Sequence, residues 1–396
     1  MLHQVVVVGA GYAGLLAAAR LARAPGIAVT LIEPSPVFVE RIRLHQRAAG
    51  QRMKARALTE FIAPGVRWLQ TRVAAIELAG RTLRLADGQA VTYDQLVLAV
   101  GSVVERERVP GVREHCLSLQ TDAECRAIAA AARRGGRAVV VGLGMTGIEA
   151  ACELAGAHPG LAVTLLGRGQ LGDGLSAAGE QHLRGVLARL GVRVIEGASV
   201  ASVAAGQLAL GHGAREEFSL CVWAAGFCAP PLAAEAGLPV AADGRVRVDA
   251  SLRAVGHPEV LVIGDAARVE LEDVIGDAVR GDGAALRMAC ATAMPMGAHA
   301  AEQVLRFARG EPGTPLRFAA AMLCVSLGRG EGLIQLLTAD DRPRARVVRG
   351  MPAALIKEAI CRMTVVALRA EARGVRVYRW LKPEPAPALS AAALHS

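Results

Sequence analysis

Two stretches of this chain have residue types and spacing suited to holding a dinucleotide. Gly9-Ala10-Gly11-Tyr12-Ala13-Gly14 follows the apolar run Val5-Val6-Val7-Val8 and precedes an alanine- and leucine-rich stretch through Leu21. In such a motif the first glycine permits a tight turn and the second lets backbone approach a pyrophosphate. The third lets a helix pack closely on a strand. The helix N-terminus then offers N–H groups and a positive dipole end to the phosphates. Val29-Thr30-Leu31-Ile32 reads as the second strand, and Glu33 at its end, about 20 residues on, is placed to accept from ribose hydroxyls. A glycine-rich turn alone is the plainer reading, but strand, turn, helix, strand and terminal acid in this order favour a dinucleotide site.

The design recurs. Ala138-Val139-Val140-Val141 leads into Gly142-Leu143-Gly144-Met145-Thr146-Gly147, then a helix from Ile148 and a strand Val163-Thr164-Leu165-Leu166. Two such units imply two dinucleotides. They differ where selectivity is decided, because Gly167 and Arg168 stand where Glu33 stands in the first unit. Without a carboxylate there a 2′-phosphate meets a cation instead of a repelling charge, so NADPH is expected to be tolerated. The alternative is that Arg168 is a solvated loop residue.

These units need a scaffold of parallel strands and covering helices. The composition suits one: of 396 residues, 53% are hydrophobic and only 3% aromatic, so alanine and aliphatic side chains fill the interior. The expected fold class is α/β, two Rossmann-like dinucleotide-binding domains with the second inserted in the first, plus a C-terminal α+β region. The length allows two or three domains. The expected boundaries are 1–113 and 245–315 for the two segments of the first domain and 114–244 for the second. A C-terminal interface region over 316–382 and a disordered proline- and alanine-rich tail over 383–396 complete the chain.

The formal charge of +9 suits an anionic partner. Arginines are spread along the chain without a compact basic block or interleaved aromatics, which argues against nucleic acid. The opening Met1-Leu2-His3-Gln4 runs straight into the first strand and leaves no room for an export signal, and no uncharged apolar run reaches the roughly 18 residues of a membrane span. A cytoplasmic location follows as the expectation. The eight cysteines form no C-x-x-C, so reduced thiols are expected and a dithiol relay is excluded.

Further motifs carry a family resemblance. Tyr93-Asp94-Gln95-Leu96-Val97-Leu98-Ala99-Val100-Gly101-Ser102 resembles the strand and turn that bring the chain back to a flavin. Val260-Leu261-Val262-Ile263-Gly264-Asp265-Ala266-Ala267 is similar to a second flavin signature, whose Asp accepts from the ribityl chain. With Gly147-Ile148-Glu149, Trp223-Ala224-Ala225-Gly226-Phe227, Met296-Gly297-Ala298-His299-Ala300-Ala301 and Ser326-Leu327-Gly328-Arg329, the chain resembles the FAD-dependent pyridine nucleotide oxidoreductases over residues 2 to 380. Within them it resembles the type II NADH dehydrogenases and ferroptosis-suppressor-like NAD(P)H:quinone oxidoreductases.

The resemblance implies FAD at Gly9, Gly11, Tyr12, Ala13, Gly14, Glu33, Pro34, Arg41, Val73, Ala99, Gly101, Gly264, Asp265, Met296 and Gly297. It implies NAD(P)H at Gly142, Gly144, Met145, Thr146, Gly147, Arg168 and Gly226, and no metal. Glu149 is expected to do acid/base or positioning work beside the nicotinamide, with a helix-capping carboxylate as the alternative. A helix starting at Met296 is expected to aim its N-terminus at the flavin. The implied acceptor is a quinone. Thr292 and its neighbours depart from the Ala-Gln usual before the flavin-facing glycine, which leaves open delivery to a partner redox protein or a non-enzymatic NAD(P)H-sensing flavoprotein.

Three other stretches carry expectations. Pro352 to Arg373 reads as a helix with an apolar stripe of Ile356, Ile360, Met363, Ala367 and Ala370 and a polar face of Glu358, Arg362, Arg369 and Arg373. With Tyr378 and Trp380 it is compatible with a peripheral membrane contact on the inner face, a homodimer surface, or a helix that covers the flavin domain. Glu270 to Arg287 reads as a gating loop or a disordered insertion. Arg43, His45, Arg47, Arg52, Lys54 and Arg56 read as a solvated face, with only Arg41 against the flavin.

Overall fold

The computed structural model describes residues 2–275 and 284–383. The first glycine unit forms as read. The strand His3–Val8 leads into the helix Tyr12–Leu21 and the strand Ile27–Ile32. All ten helix residues are buried. Short side chains make this possible, since alanine fills four of its ten positions.

His3–Val8 is central in a six-stranded sheet ordered Arg253–Ala254, His257–Val262, Gln95–Leu98, His3–Val8, Ile27–Ile32 and Val66–Leu69. Every neighbouring pair is parallel except the antiparallel edge strand Arg253–Ala254. Gln95–Leu98 pairs directly with His257–Val262, so everything between them in sequence leaves this sheet and returns. The excursion holds the second unit. Its five strands, ordered Leu117–Ser118, Leu220–Trp223, Gly136–Val141, Leu161–Leu166 and Arg193–Ile195, are all parallel. Near-continuous Val, Leu and Ile runs in these strands match sheets covered on both faces. The chain is thus α/β, with one dinucleotide unit nested in the other.

Beyond residue 315 the strands Met322–Ser326, Gly332–Leu337 and Pro343–Arg349 make an antiparallel sheet, followed by the helix Met351–Ala372. The face this helix buries is not the stripe read from sequence. Cys361, Thr364, Val365 and Leu368 are buried, whereas Met363 is 62% exposed. Leu355 and Val366, at 63% and 62%, extend an apolar band in the open. Two apolar faces on one helix blur a single-stripe reading. Tyr378 and Trp380 do not project into solvent either. Both pack half-buried against the first core, and the Trp380 indole N–H donates to the Arg317 carbonyl at 2.7 Å.

The end of the chain is clasped to the first helix. Arg20 donates to both oxygens of Glu371, at 3.2 and 2.9 Å, and to the Tyr378 carbonyl at 2.9 Å, while the Tyr378 N–H donates back to Glu371. Both ionic side chains are buried, at 7% and 2% exposure.

The long helix near the first glycine turn differs from expectation. It runs Cys290–Ala308 with Pro295 inside it, so Met296 and Gly297 lie in its second turn and the N-terminus is at Cys290. Pro295 removes one intrahelical bond, a local cost that packing offsets. Of the stretch Glu270 to Arg287, residues 276–283 lie outside the described residues. Its ends are ordered: Leu271–Ile275 is helical, and Arg287 pairs with Asp341. The tail from residue 384 also lies outside the described residues.

Removing one partner of a buried pair strands the other charge, at a cost of about 3–5 kcal/mol. Arg20→Met is expected to lower stability by that order, measured by denaturant unfolding. The double variant Arg20→Met/Glu371→Leu should recover most of the loss, because it leaves no unpaired charge.

Candidate functional site

The first cradle is built from missing side chains. Gly9 adopts φ +100, which glycine alone adopts freely, and a Cβ there would strike the Ala99 carbonyl. A Cβ on Gly14 would strike the carbonyl of Gly9, and one on Gly297 the carbonyl of Ala13. The first turn of the helix is therefore pressed between the strand turn and the long helix. Gly11 is different: nothing lies within 4 Å of where its Cβ would be. It is the N-cap, with no side-chain cap, so the helix's first N–H groups face an open approach.

Around this turn the expected residues converge. Glu33 accepts from the N–H groups of Ala10 at 3.0 Å and Ser35 at 2.9 Å, which fixes its carboxylate beside the glycine turn; Pro34 follows it. Arg41 donates to the Ser102 carbonyl at 2.9 Å and lies against Gly101, while the Ser102 hydroxyl donates to Asp265 at 2.7 Å. Ser102 links two separately read motifs and was not itself read as a site residue. Met296 places its sulfur 3.2 Å from the Gly264 N–H. Val73 is buried at the start of a neighbouring strand. Tyr12 is buried with its ring edge-on to Phe38 at 5.4 Å, and its hydroxyl has no partner among the described residues.

The second cradle repeats this geometry. Gly142 has φ +128 against the Ala224 carbonyl, Gly147 abuts Gly142, and Gly144 caps the helix Met145–Ala157 with nothing within 4 Å. A cavity of about 680 Å³ opens there, lined by Gly142, Gly144, Met145, Thr146, Arg168 and Gly226 among others. Both cradles fit a dinucleotide: backbone N–H groups point into open space, and no side chain fills it.

Residues 3–302 match the model of the pyridine nucleotide-disulphide oxidoreductases. The chain belongs to this family. An NADH dehydrogenase-like protein of Mycobacterium tuberculosis, Rv1812c, is 30% identical over 391 residues, covering 90% of this chain and 92% of the relative. The type II NADH:quinone oxidoreductase NdhA of the same organism is 31% identical over 320 residues, 66% of each chain. The fold is also that of NDH2 from Plasmodium falciparum in complex with NADH, with a TM-score of 0.78, 14% identity, and 94% of this chain and 97% of that one covered. The chain is a pyridine-nucleotide-dependent flavin oxidoreductase that uses FAD and NAD(P)H.

Glu149 is not where its expected role would place it. It does not line the second cavity. It lies largely covered by the C-terminal region, ion-paired to Lys357, 3.4 Å from His45 and accepting from the Ser326 N–H at 2.9 Å. Burial alone would push its carboxyl up, but the Lys357 ammonium and His45 outweigh burial and hold it below the usual carboxylate value. Lys357 is likewise held above its ordinary value, since Glu149 outweighs burial. Burial depresses His45 to about 4. The pair stays charged and the histidine neutral.

A second acid stands one turn along the same helix, and this one faces a cavity. Glu153 lines a separate cavity of about 470 Å³ with Lys357, Cys361, Met53, Ala354 and Leu355. Burial raises its carboxyl above the ordinary value; Gln51 donates to it at 2.7 Å and the Ser326 hydroxyl at 3.2 Å. The spacing Glu149-x-x-x-Glu153 on one helix face was the available signal. Of the basic stretch, His45 is buried and Arg43, Arg47 and Arg56 are taken up by Glu40, Glu358 and Asp122. Arg52 and Lys54 remain exposed on the cavity rim.

Two consequences can be measured. Gly14→Ala is expected to lose bound flavin and unfold at lower temperature than the parent, read from the 450 nm absorbance ratio and calorimetry. Because His45 is depressed from 6.5 to about 4, the unfolded chain binds a proton that the native one refuses as pH falls. Stability is present above pH 6.5 and lost towards pH 4, by on the order of 3 kcal/mol from this residue. His299, also depressed to about 4, adds to the slope. His45→Gln should flatten the acid limb of the stability profile without abolishing it.

Proposed function

We propose that the enzyme oxidises NAD(P)H and reduces a quinone or quinone-like acceptor in the cavity beneath the C-terminal helix. Bound FAD would supply the two-electron redox chemistry that links a hydride donor to the acceptor. The protein's part is placement. The first cradle holds FAD through Gly9, Gly11, Tyr12, Ala13, Gly14, Glu33, Pro34, Arg41, Val73, Ala99, Gly101, Gly264, Asp265, Met296 and Gly297. The second holds the nicotinamide dinucleotide through Gly142, Gly144, Met145, Thr146, Gly147, Arg168 and Gly226.

The observation that carries the acceptor reading is the wall of the smaller cavity. Met53, Ala354 and Leu355 offer apolar surface to a ring, while Lys357 and Glu153 offer a cation and a protonatable acid. A quinone oxygen that gains electron density needs both: a hydrogen-bond donor to stabilise the charge and a proton to end as hydroxyl. Lys357, held charged by Glu149, supplies the first. Glu153, its carboxyl raised by burial, supplies the second. The cavity mouth lies on the helix that exposes Leu355, Met363 and Val366, with Arg52, Lys54 and Arg329 alongside, a combination suited to an anionic lipid surface. Among the described residues no helix is long and apolar enough to cross a membrane; the contact proposed is a peripheral one. The quinone in the name of NdhA agrees with this reading.

The same basic rim supports a second reading, an acidic redox protein as acceptor. Stopped-flow half-reactions separate the two. Glu153→Gln and Lys357→Met are expected to leave flavin reduction by NAD(P)H near the parent rate. Reoxidation by a water-soluble ubiquinone analogue should slow about a hundredfold. Unchanged quinone reoxidation in both variants, or parent enzyme that reoxidises only with an iron–sulfur protein, rejects the quinone reading.

A further inference from the structure

The two cradles are superposable by their hydrogen bonds, which turns a sequence comparison into an atomic one. In the first, the Gly9 N–H donates to the Ile32 carbonyl, and the next residue, Glu33, donates to Leu69 on the adjacent strand. In the second, the Gly142 N–H donates to the Leu166 carbonyl, and the next residue, Gly167, donates to Ile195. Glu33 and Gly167 therefore occupy one backbone position, as do Pro34 and Arg168.

What fills the space of the missing carboxylate decides the chemistry. In the first unit, Glu33 accepts from the Ala10 N–H. The equivalent residue in the second is Leu143, whose own side chain is buried in that place. A Cβ on Gly167 would lie 3.0 Å from Leu143 Cγ and 3.1 Å from its N. An acid is thus absent and also sterically disfavoured. Arg168, one residue on, is exposed, lines the cavity, and makes no hydrogen bond or ion pair among the described residues. Gln170 and Ser199 add neutral donors to the same wall.

The carboxylates nearby are largely accounted for. Glu105 pairs with Arg108 at 3.3 Å beside Gly226, and Glu196, next to this loop, pairs with Arg184 at 2.7 Å. Asp173 is the remaining acid of the cavity wall, and it accepts from the Gln170 N–H at 3.3 Å. The arginine fork matches a phosphate dianion in geometry and charge, whereas a ribose 2′-hydroxyl is best held by the acid this site lacks.

We propose that Arg168, in the space left by Gly167 and Leu143, forms a 2′-phosphate subsite that makes NADPH the preferred donor. This rests on the second cavity holding the nicotinamide dinucleotide and is independent of the acceptor's identity. The subsite is tested without turnover by calorimetric titration of the flavin-loaded enzyme with 2′,5′-ADP and with 5′-AMP. The parent is expected to bind 2′,5′-ADP at least about tenfold more tightly at low salt, as one charge-assisted contact provides, with the margin narrowing as salt rises. Arg168→Ala should bring the two affinities together while leaving that for 5′-AMP in place, and Arg168→Lys should keep part of the preference. Equal or weaker binding of 2′,5′-ADP by the parent, or a preference that survives Arg168→Ala, overturns the proposal. Failure of both probes to bind overturns it along with the assignment of this cavity, whereas an altered acceptor profile leaves it untouched.

Discussion

The arrangement depends on backbone meeting backbone. Gly14 lies on the carbonyl of Gly9 and Gly297 on the carbonyl of Ala13, so strand turn, first helix and long helix cross at distances that no side chain permits. That crossing aims the N-terminus of Tyr12–Leu21 outward at Gly11 and brings the Gly264–Asp265 turn, through Met296, beside it. Gly142 and Gly147 repeat the device in the second unit. Interiors packed this densely transmit a misplaced methyl directly into the binding surface.

Charge does for the C-terminal region what close packing does for the cradles. Arg20–Glu371 and, beside the buried His45, Glu149–Lys357 each join residues hundreds of positions apart, largely shielded from solvent. Buried pairs give little net stability, but separation of their partners is strongly unfavourable, so they select one docking geometry over its neighbours. His45 beside the charged pair stays neutral because burial disfavours its charged form more than the neighbouring Glu149 favours it.

The sequence announced both cradles because their requirements are local. A glycine at fixed spacing after an apolar strand means one thing to the backbone, and Glu33, Arg41 and Asp265 sit close to where their motifs put them. The cavity beneath the C-terminal helix is not legible in that way. Its wall is assembled from residues near 50, 153, 326 and 357, and no local pattern distinguishes Glu153 from Glu149 on the same helix. Burial and Lys357 make that distinction. The start of the long helix differs as well: the motif at Met296–Gly297 points to a start there, whereas the helix begins at Cys290 and runs through Pro295. On the C-terminal helix, one apolar stripe was sought where two faces exist.

The separation between the two cavities has a consequence for how such an enzyme can diversify. The larger cavity is drawn from about Gly142 to Phe227 together with Glu105 to Val109 and Met288, whereas the smaller is drawn from Glu40 to Arg56, Glu153, and Ser326 to Arg362. No residue lines both. The helix Met145–Ala157 contributes Met145 and Thr146 of its first turn to one cavity and Glu153 to the other, and so is their shared beam. Substrate choice at either end can drift without disturbing the other, provided that beam is kept, much as fittings are exchanged at the two ends of a fixed axle.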